Sequence, residues 1–138
     1  MSNPSTASLY ERLGGVYAIA AVVDVFIDRI MVCPILNANP LVDEAHHRVP
    51  KAGFKYLVTE MVCMATGGPQ RYTGKAMTDS HHHLKITPAE WDTFAGHFKA
   101  VLDQFKVPER EQKELFEIVG TTRGDIVMEP ASASRKAG

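Results

Sequence analysis

The apolar positions of the chain recur at the spacing of an α-helix. The first long run occupies one helical face, with apolar residues at positions 19, 22, 23, 26, 27 and 30. The same six-point spacing returns between Phe54 and Ala65, and similar faces follow over 91–105 and 115–126. A period near 3.6 residues without alternation predicts amphipathic helices rather than strands. The sequence therefore predicts an all-α protein whose helices pack around one core.

Capping residues set the predicted starts of two helices. Ser8 and Glu11 form a Ser-x-x-Glu capping box that begins a short helix over 9–13, which ends at a Gly-Gly pair. Thr87 and Glu90, with a proline directly after the threonine, predict the start of a long helix.

Proline and glycine residues predict where the segments between the helices lie. Residues 34–50 contain three prolines and are predicted to be a loop with room for a short helical turn. The domain is predicted to span 8–127, with a flexible segment at 1–7 and a disordered tail at 128–138. At this length one domain is expected.

Composition and charge narrow the functional class. The chain has 138 residues, 45% hydrophobic and 22% charged, with 15 basic and 16 acidic residues. This balance argues against a nucleic-acid binder or a polybasic membrane clamp, since either would show a basic excess. The chain has two cysteines without a Cys-x-x-Cys pair, and no apolar run approaches the roughly 20 residues that span a bilayer. The first residues lack the pattern of a signal peptide. These observations predict a cytoplasmic protein.

The histidines are the first candidate chemistry. Six are present, and three of them are consecutive, at 81–83. Successive residues of an α-helix point about 100° apart, so in a short predicted helix only His81 shares a face with Met77 and Leu84. A buried imidazole needs a partner for each nitrogen. If Nδ1 donates to the carbonyl of residue 77, Nε2 is left as the lone pair that a metal takes from histidine.

Zinc and haem iron are the two metals to compare. A structural zinc site needs four ligands at short spacings, which the chain lacks around His81 and Cys63. Haem iron needs one axial histidine in an apolar pocket. Apolar residues that could form this pocket are Phe26, Ile27, Phe54, Val58, Met61, Met77, Phe94 and Phe98. The same residues could equally be the plain core of a helical bundle, and periodicity does not separate these interpretations.

Three motifs, taken in order, resemble the group I truncated haemoglobins. They are Leu9-Tyr10-Glu11-Arg12-Leu13-Gly14-Gly15, Gly67-Gly68-Pro69 and Tyr72-Thr73-Gly74-x-x-Met77-x-x-x-His81. The resemblance covers roughly residues 8–127. It implies a two-over-two helical sandwich that binds haem b through His81 as the proximal histidine. It also implies reversible binding of oxygen, carbon monoxide or nitric oxide.

The candidate site residues combine this resemblance with the apolar pattern. The metal ligand is His81, and the cofactor-binding candidates are His81, Met77, Phe54, Val58, Phe26, Ile27, Met61, Tyr72, Phe94, His46 and His47. The two histidines at 46 and 47 are expected in a solvent-exposed loop or against the haem propionates. An alternative is that one of them, or Lys55 or Tyr56, turns into the pocket, and a histidine there would give a six-coordinate haem.

The chain departs from the family pattern on the ligand side. The family commonly carries a tyrosine directly after the phenylalanine at Phe26, where this chain has Ile27, and positions that often carry glutamine fall on Phe54 and Val58. The pocket is therefore expected to be nonpolar. This favours an oxygen-binding protein over a nitric oxide dioxygenase with its reductase, or a peroxidase, because these enzymes use a polar group near the ligand. A haem-free helical protein is the third interpretation.

A nonpolar pocket should give little preference for oxygen over carbon monoxide. A hydrogen-bond donor to bound oxygen is worth about 1–3 kcal/mol in a dry site. Its absence should cost roughly one to two decades of oxygen affinity, with little effect on carbon monoxide. Stopped-flow measurement of oxygen dissociation checks this, and a rate as slow as that of a relative with a tyrosine donor would contradict it.

Overall fold

The computed structural model describes residues 7–76, 79 and 81–127, and this part of the chain is helical. Its elements are α1 (Leu9–Leu13), α2 (Gly15–Met31), α3 (Pro34–Asn37), α4 (Pro40–Arg48), α5 (Lys51–Ala65), a 3₁₀ turn (His82–Leu84), α6 (Pro88–Gln104), α7 (Glu109–Gly120) and α8 (Arg123–Ile126). Among these residues a single isolated bridge joins Ile86 and Val127, and no strand forms. The predicted all-α class is confirmed.

The predicted helix starts are present as hydrogen bonds. Ser8 Oγ accepts from the Glu11 amide at 3.1 Å, and the Glu11 carboxylate accepts from the Ser8 amide at 3.1 Å. Thr87 and Glu90 make the same pair of bonds at the start of α6. Each box satisfies two amides that a helix end would otherwise leave without partners.

The prediction of a loop over 34–50 is wrong. The segment forms two helices, α3 and α4, because Pro34 and Pro40 occupy the first helical position. A proline there loses no hydrogen bond, and its fixed φ suits the helix. The side chain of Asn39 accepts from the Leu41 amide and caps the start of α4. The prolines thus begin helices that the sequence analysis expected them to break.

Two further boundaries differ from prediction. The helix expected over 115–126 is divided into α7 and α8 by Thr121 and Thr122, whose hydroxyls bond to carbonyls three residues back. His81 is helical but leads directly into the 3₁₀ turn, which Lys85 ends at φ 52°. Met77, residues 1–6 and residues 128–138 lie outside the described residues.

The core is built around α2. Its buried residues are Ile19, Val23, Phe26, Ile27 and Ile30, which lie on the predicted face. Helix α2 packs against α5 and α6, with the Phe26 ring 5.1 Å from that of Phe94. Phe98 links α6 to α7 through Phe116, with ring centroids 5.2 Å apart. Helix α2 therefore lies against both α5 and α6, and a ring contact joins α6 to α7.

The N-terminal helix is attached by charge. Arg12 reaches Glu111 at 2.7 Å and Glu114 at 2.6 Å, both on α7. The hydrogen bond from Arg12 lowers the pKa of Glu114 below its ordinary value. The guanidinium of Arg12 thus holds α1 against two carboxylates of α7.

Packing at Leu102 should contribute strongly to stability. Its side chain is 1% exposed, so Leu102→Ala leaves a cavity and should reduce the free energy of unfolding by about 2–5 kcal/mol. Urea titration measures the change. The matched control is Leu41→Ala, since Leu41 is 39% exposed and the same truncation there should cost below about 1 kcal/mol. Equal losses at the two positions would contradict this account of the core.

Candidate functional site

A large cavity lies between α2, α5 and α6. Its volume is about 730 Å³, within the range of roughly 300–1,000 Å³ typical of small-molecule sites. The predicted apolar residues that line it are Phe26, Ile27, Phe54, Val58, Met61, Phe94 and Phe98. Their side chains come from three helices whose apolar faces converge, so the periodic pattern accounts for the wall.

The polar candidates divide into those at the cavity and those outside it. His81, His46 and Tyr72 line it. His47 does not: its side chain is 79% exposed, and its Nδ1 lies 2.8 Å from the Asp43 carbonyl. Met77 is outside the described residues.

Lys55 and Tyr56 also face away from the cavity. The Lys55 ammonium bonds to Asp24 at 2.6 Å and to Asp28 at 2.9 Å, both on α2. Tyr56 donates to Glu60 at 2.9 Å. These contacts occupy both polar groups on the outer surface of α5.

His81 reaches the cavity from the turn before α6. It is half-buried and lies one residue before the 3₁₀ turn, and His83 also lines the cavity edge. His83 was not among the predicted cavity residues, because the prediction assumed α-helical geometry with about 100° between successive residues. A 3₁₀ turn has about 120° between them, so the angular argument fails after His81.

His46 lies at the wall in a defined hydrogen-bond arrangement. Its Nδ1 is 2.6 Å from Asn37 Oδ1, and Asn37 Nδ2 donates to the Met31 carbonyl at 2.9 Å. Burial lowers the pKa of His46; Asp43 opposes this by raising it, and His47 lowers it further. The ring is therefore held mainly neutral at pH 7.

The cavity edge is polar and carries charges of both signs, since Asp79 and Glu90 line the cavity as well as two cations. Tyr72 donates to the Lys75 carbonyl at 2.7 Å, and Thr73 donates from its amide and hydroxyl to Glu60 at 3.1 and 2.6 Å. Lys75 and Arg48 both line the edge and are exposed. An apolar interior with two cations at its edge suits a flat apolar molecule that carries anionic groups.

Asn39 connects two walls of the cavity. Its Nδ2 donates to the Leu84 carbonyl at 3.0 Å and to Glu90 Oε1 at 3.1 Å, while its Oδ1 caps α4. We call these two Nδ2 bonds the clip. They join the start of α4 to the turn that follows His81 and to α6. These bonds were not predicted because residues 34–50 were expected to form a loop. Asn39 directly before Pro40 was the available signal, since this pair is typical of a helix start.

Two other kinds of site, a metal-binding cluster and a membrane span, are absent from the described part of the chain. Within 7–76, 79 and 81–127, no group of three or more His, Cys, Asp or Glu side chains is placed to hold a metal ion. The same part of the chain contains no helix with the length and apolar character that crossing a bilayer requires. Both cysteines, Cys33 and Cys63, are free thiols and buried.

Comparisons with known proteins agree with this geometry. The sequence model of the bacterial-like globin family matches residues 8–128. The chain is 25% identical over 127 residues to the group 1 truncated haemoglobin of Tetrahymena pyriformis, covering 92% of this chain and 98% of that protein. The Fe(III) crystal structure of the truncated haemoglobin from this organism superposes with a TM-score of 0.74, over 88% of this chain and 98% of that one.

A second solved structure is similar over the same share of the chain. It is the 2/2 haemoglobin of Synechococcus, in the cyanomet state with covalently attached haem. The identity is 27%, the TM-score is 0.74, and the alignment covers 88% of this chain and 98% of that one. The expected two-over-two architecture is confirmed by these matches.

Removing the clip should loosen the turn that follows His81. Serine caps a helix about as well as asparagine but lacks the Nδ2 donor, so Asn39→Ser keeps the start of α4 and loses both bonds. A hydrogen bond worth about 1 kcal/mol corresponds to roughly fivefold faster amide exchange in residues 82–86. Hydrogen exchange read by mass spectrometry measures this, and unchanged exchange there would show that the clip does not restrain the turn.

Proposed function

This chain belongs to the bacterial-like globin family, and from that premise we propose that its cavity holds haem b and that it binds a diatomic gas reversibly. The observation that carries the proposal is His81 lining an apolar cavity of about 730 Å³. A neutral imidazole is the protein ligand that haem iron takes in globins. The resemblance of the Tyr72 to His81 motif to group I truncated haemoglobins supports the same residue.

The residues around the cavity fit this cofactor. Phe26, Phe54 and Val58 offer apolar surface to the macrocycle, and Lys75 and Arg48 stand at the edge where two carboxylates could pair with them. Arg48 also pairs with Glu44 at 3.0 Å, which leaves Lys75 as the more available cation. When bound, haem supplies an iron atom that takes one nitrogen from the protein and one diatomic ligand.

The chain's own residues set which gas is favoured. Ile27, Phe54 and Val58 carry no hydrogen-bond donor, so the wall they form excludes water and offers nothing to a ligand that accumulates negative charge. A nonpolar wall should leave carbon monoxide affinity about the same as a wall with a hydrogen-bond donor would. It should lower oxygen affinity, because bound oxygen loses a hydrogen bond. This favours a binding protein over a nitric oxide dioxygenase, since the latter benefits from a donor near the ligand.

Loss of the imidazole at 81 should remove the cofactor's attachment. His81→Gly should weaken haem affinity by more than the roughly 10–100-fold that loss of an outer-shell partner costs at metal sites. The Soret absorbance after reconstitution measures retained haem, and free imidazole should restore it in part. His82→Gly is the matched control, because His82 is exposed and does not line the cavity.

Two outcomes would overturn the proposal. One is a reconstituted wild-type protein without a Soret band, which would indicate a haem-free helical protein. The other is a His81→Gly variant that keeps its haem content and colour and does not respond to imidazole. Turnover of nitric oxide by the oxygenated protein with a reductant would instead favour the dioxygenase alternative.

A further inference from the structure

The tautomer of the neutral His46 ring is determined by its neighbours. Asn37 Nδ2 donates to the Met31 carbonyl at 2.9 Å, so its Oδ1 must be the atom that lies 2.6 Å from His46 Nδ1. An amide oxygen only accepts, so Nδ1 carries the hydrogen and Nε2 of the neutral ring is a lone pair. Asn37 thus selects one tautomer of a side chain that lines the cavity.

The position of His46 separates it from the His81 turn. The start of α4 is bonded through Asn39 to the Leu84 carbonyl, and His46 lies seven residues further along. At 1.5 Å per residue this is about 10 Å along the helix axis, toward the end that leads into α5. His46 therefore lies toward the α5 side of the cavity, where Phe54 and Val58 provide no polar group.

An apolar cavity with the neutral imidazole of His46 at its wall treats charged and neutral ligands unequally. An anion must lose its hydration to enter such a space, whereas the neutral acid has far less hydration to lose. The acid must then release its proton inside the cavity to become an anionic ligand. Nε2 of His46 is an acceptor for that proton, and the resulting imidazolium keeps its Nδ1 hydrogen bond to Asn37.

We propose, on the basis of the proposed haem function, that His46 is the proton acceptor for small weak acids entering this cavity, with Asn37 as its positioning residue. The ligand class is H–X, such as hydrogen cyanide, hydrogen sulfide or hydrazoic acid. The H–X bond breaks heterolytically, the proton goes to Nε2, and X keeps the electron pair and binds ferric haem iron. Ligands that bring no proton, such as carbon monoxide, gain nothing from His46.

The test compares two ligands on each variant of the full haem-loaded chain. Stopped-flow mixing measures association of cyanide with the ferric form, at a pH where hydrogen cyanide is undissociated, and of carbon monoxide with the ferrous form. His46→Leu should slow cyanide association by roughly 100-fold, the lower end of general-base contributions, and change carbon monoxide association less than about threefold. His46→Gln, which cannot take a proton at neutral pH, should behave in the same way and guards against a packing defect.

Variants of other positions sharpen the assignment. His97→Leu is the matched control, since His97 is also half-buried but bonds to Arg29 and does not line the cavity; both rates should stay as in wild type. Asn37→Asp keeps an acceptor for Nδ1 and should retain fast cyanide association. Asn37→Leu frees the tautomer and should slow cyanide in the direction of His46→Leu, by a smaller factor.

Several results would overturn the proposal, and each identifies a different role. Equal changes for both ligands would show that His46 controls access to the cavity. Faster cyanide binding with loss of a low-spin ferric spectrum would show that His46 is itself an iron ligand. Faster haem loss at an unchanged ratio of the two rates would place it against the propionates. Failure of the wild-type protein to form a carbon monoxide complex would instead count against the proposed haem function.

Discussion

The walls of the cavity are held by converging apolar helix faces and by polar contacts between the elements that carry them. The cavity of about 730 Å³ is lined mainly by apolar side chains, among them those of α2, α5 and α6. Two sets of hydrogen bonds lie at the cavity wall, Asn39 to Leu84 and Glu90 and Thr73 to Glu60. On the outer surface, Lys55 of α5 pairs with Asp24 and Asp28 of α2. The cavity is thus bordered by directional contacts, which fix geometry where apolar packing alone would allow the walls to close.

The apolar wall could be predicted from the sequence because its signal is repeated. Phe26 and Ile27 belong to a face that continues for several turns, as do Phe54 and Val58, so the period identifies them without knowledge of the tertiary structure. The capping box at Thr87 was equally local and equally informative. His81 was identified as the inward residue of the histidine run by angular spacing, and the structure brings it to the cavity.

The polar residues around the cavity could not be predicted in the same way. Asn37, Asn39 and Arg48 lie in a segment expected to be a loop, and the same proline that interrupts a helix from within also begins one. Which of these happens depends on contacts distant in sequence, such as that of Asn39 with Leu84. His83 was missed for a different reason, since its position depends on a change of helix type that the periodicity does not encode.

The prolines of the segment over 34–50 also affect how the chain finds this arrangement. Pro34, Pro40 and Pro50 precede or begin α3, α4 and α5 in turn. Each has its φ angle restricted in the unfolded chain, so less conformational entropy is lost when these helices form. The direction changes between the three helices are therefore partly set by covalent geometry before any tertiary contact exists. The backbone of the segment that carries His46 is therefore partly restricted to its folded conformation before the chain folds.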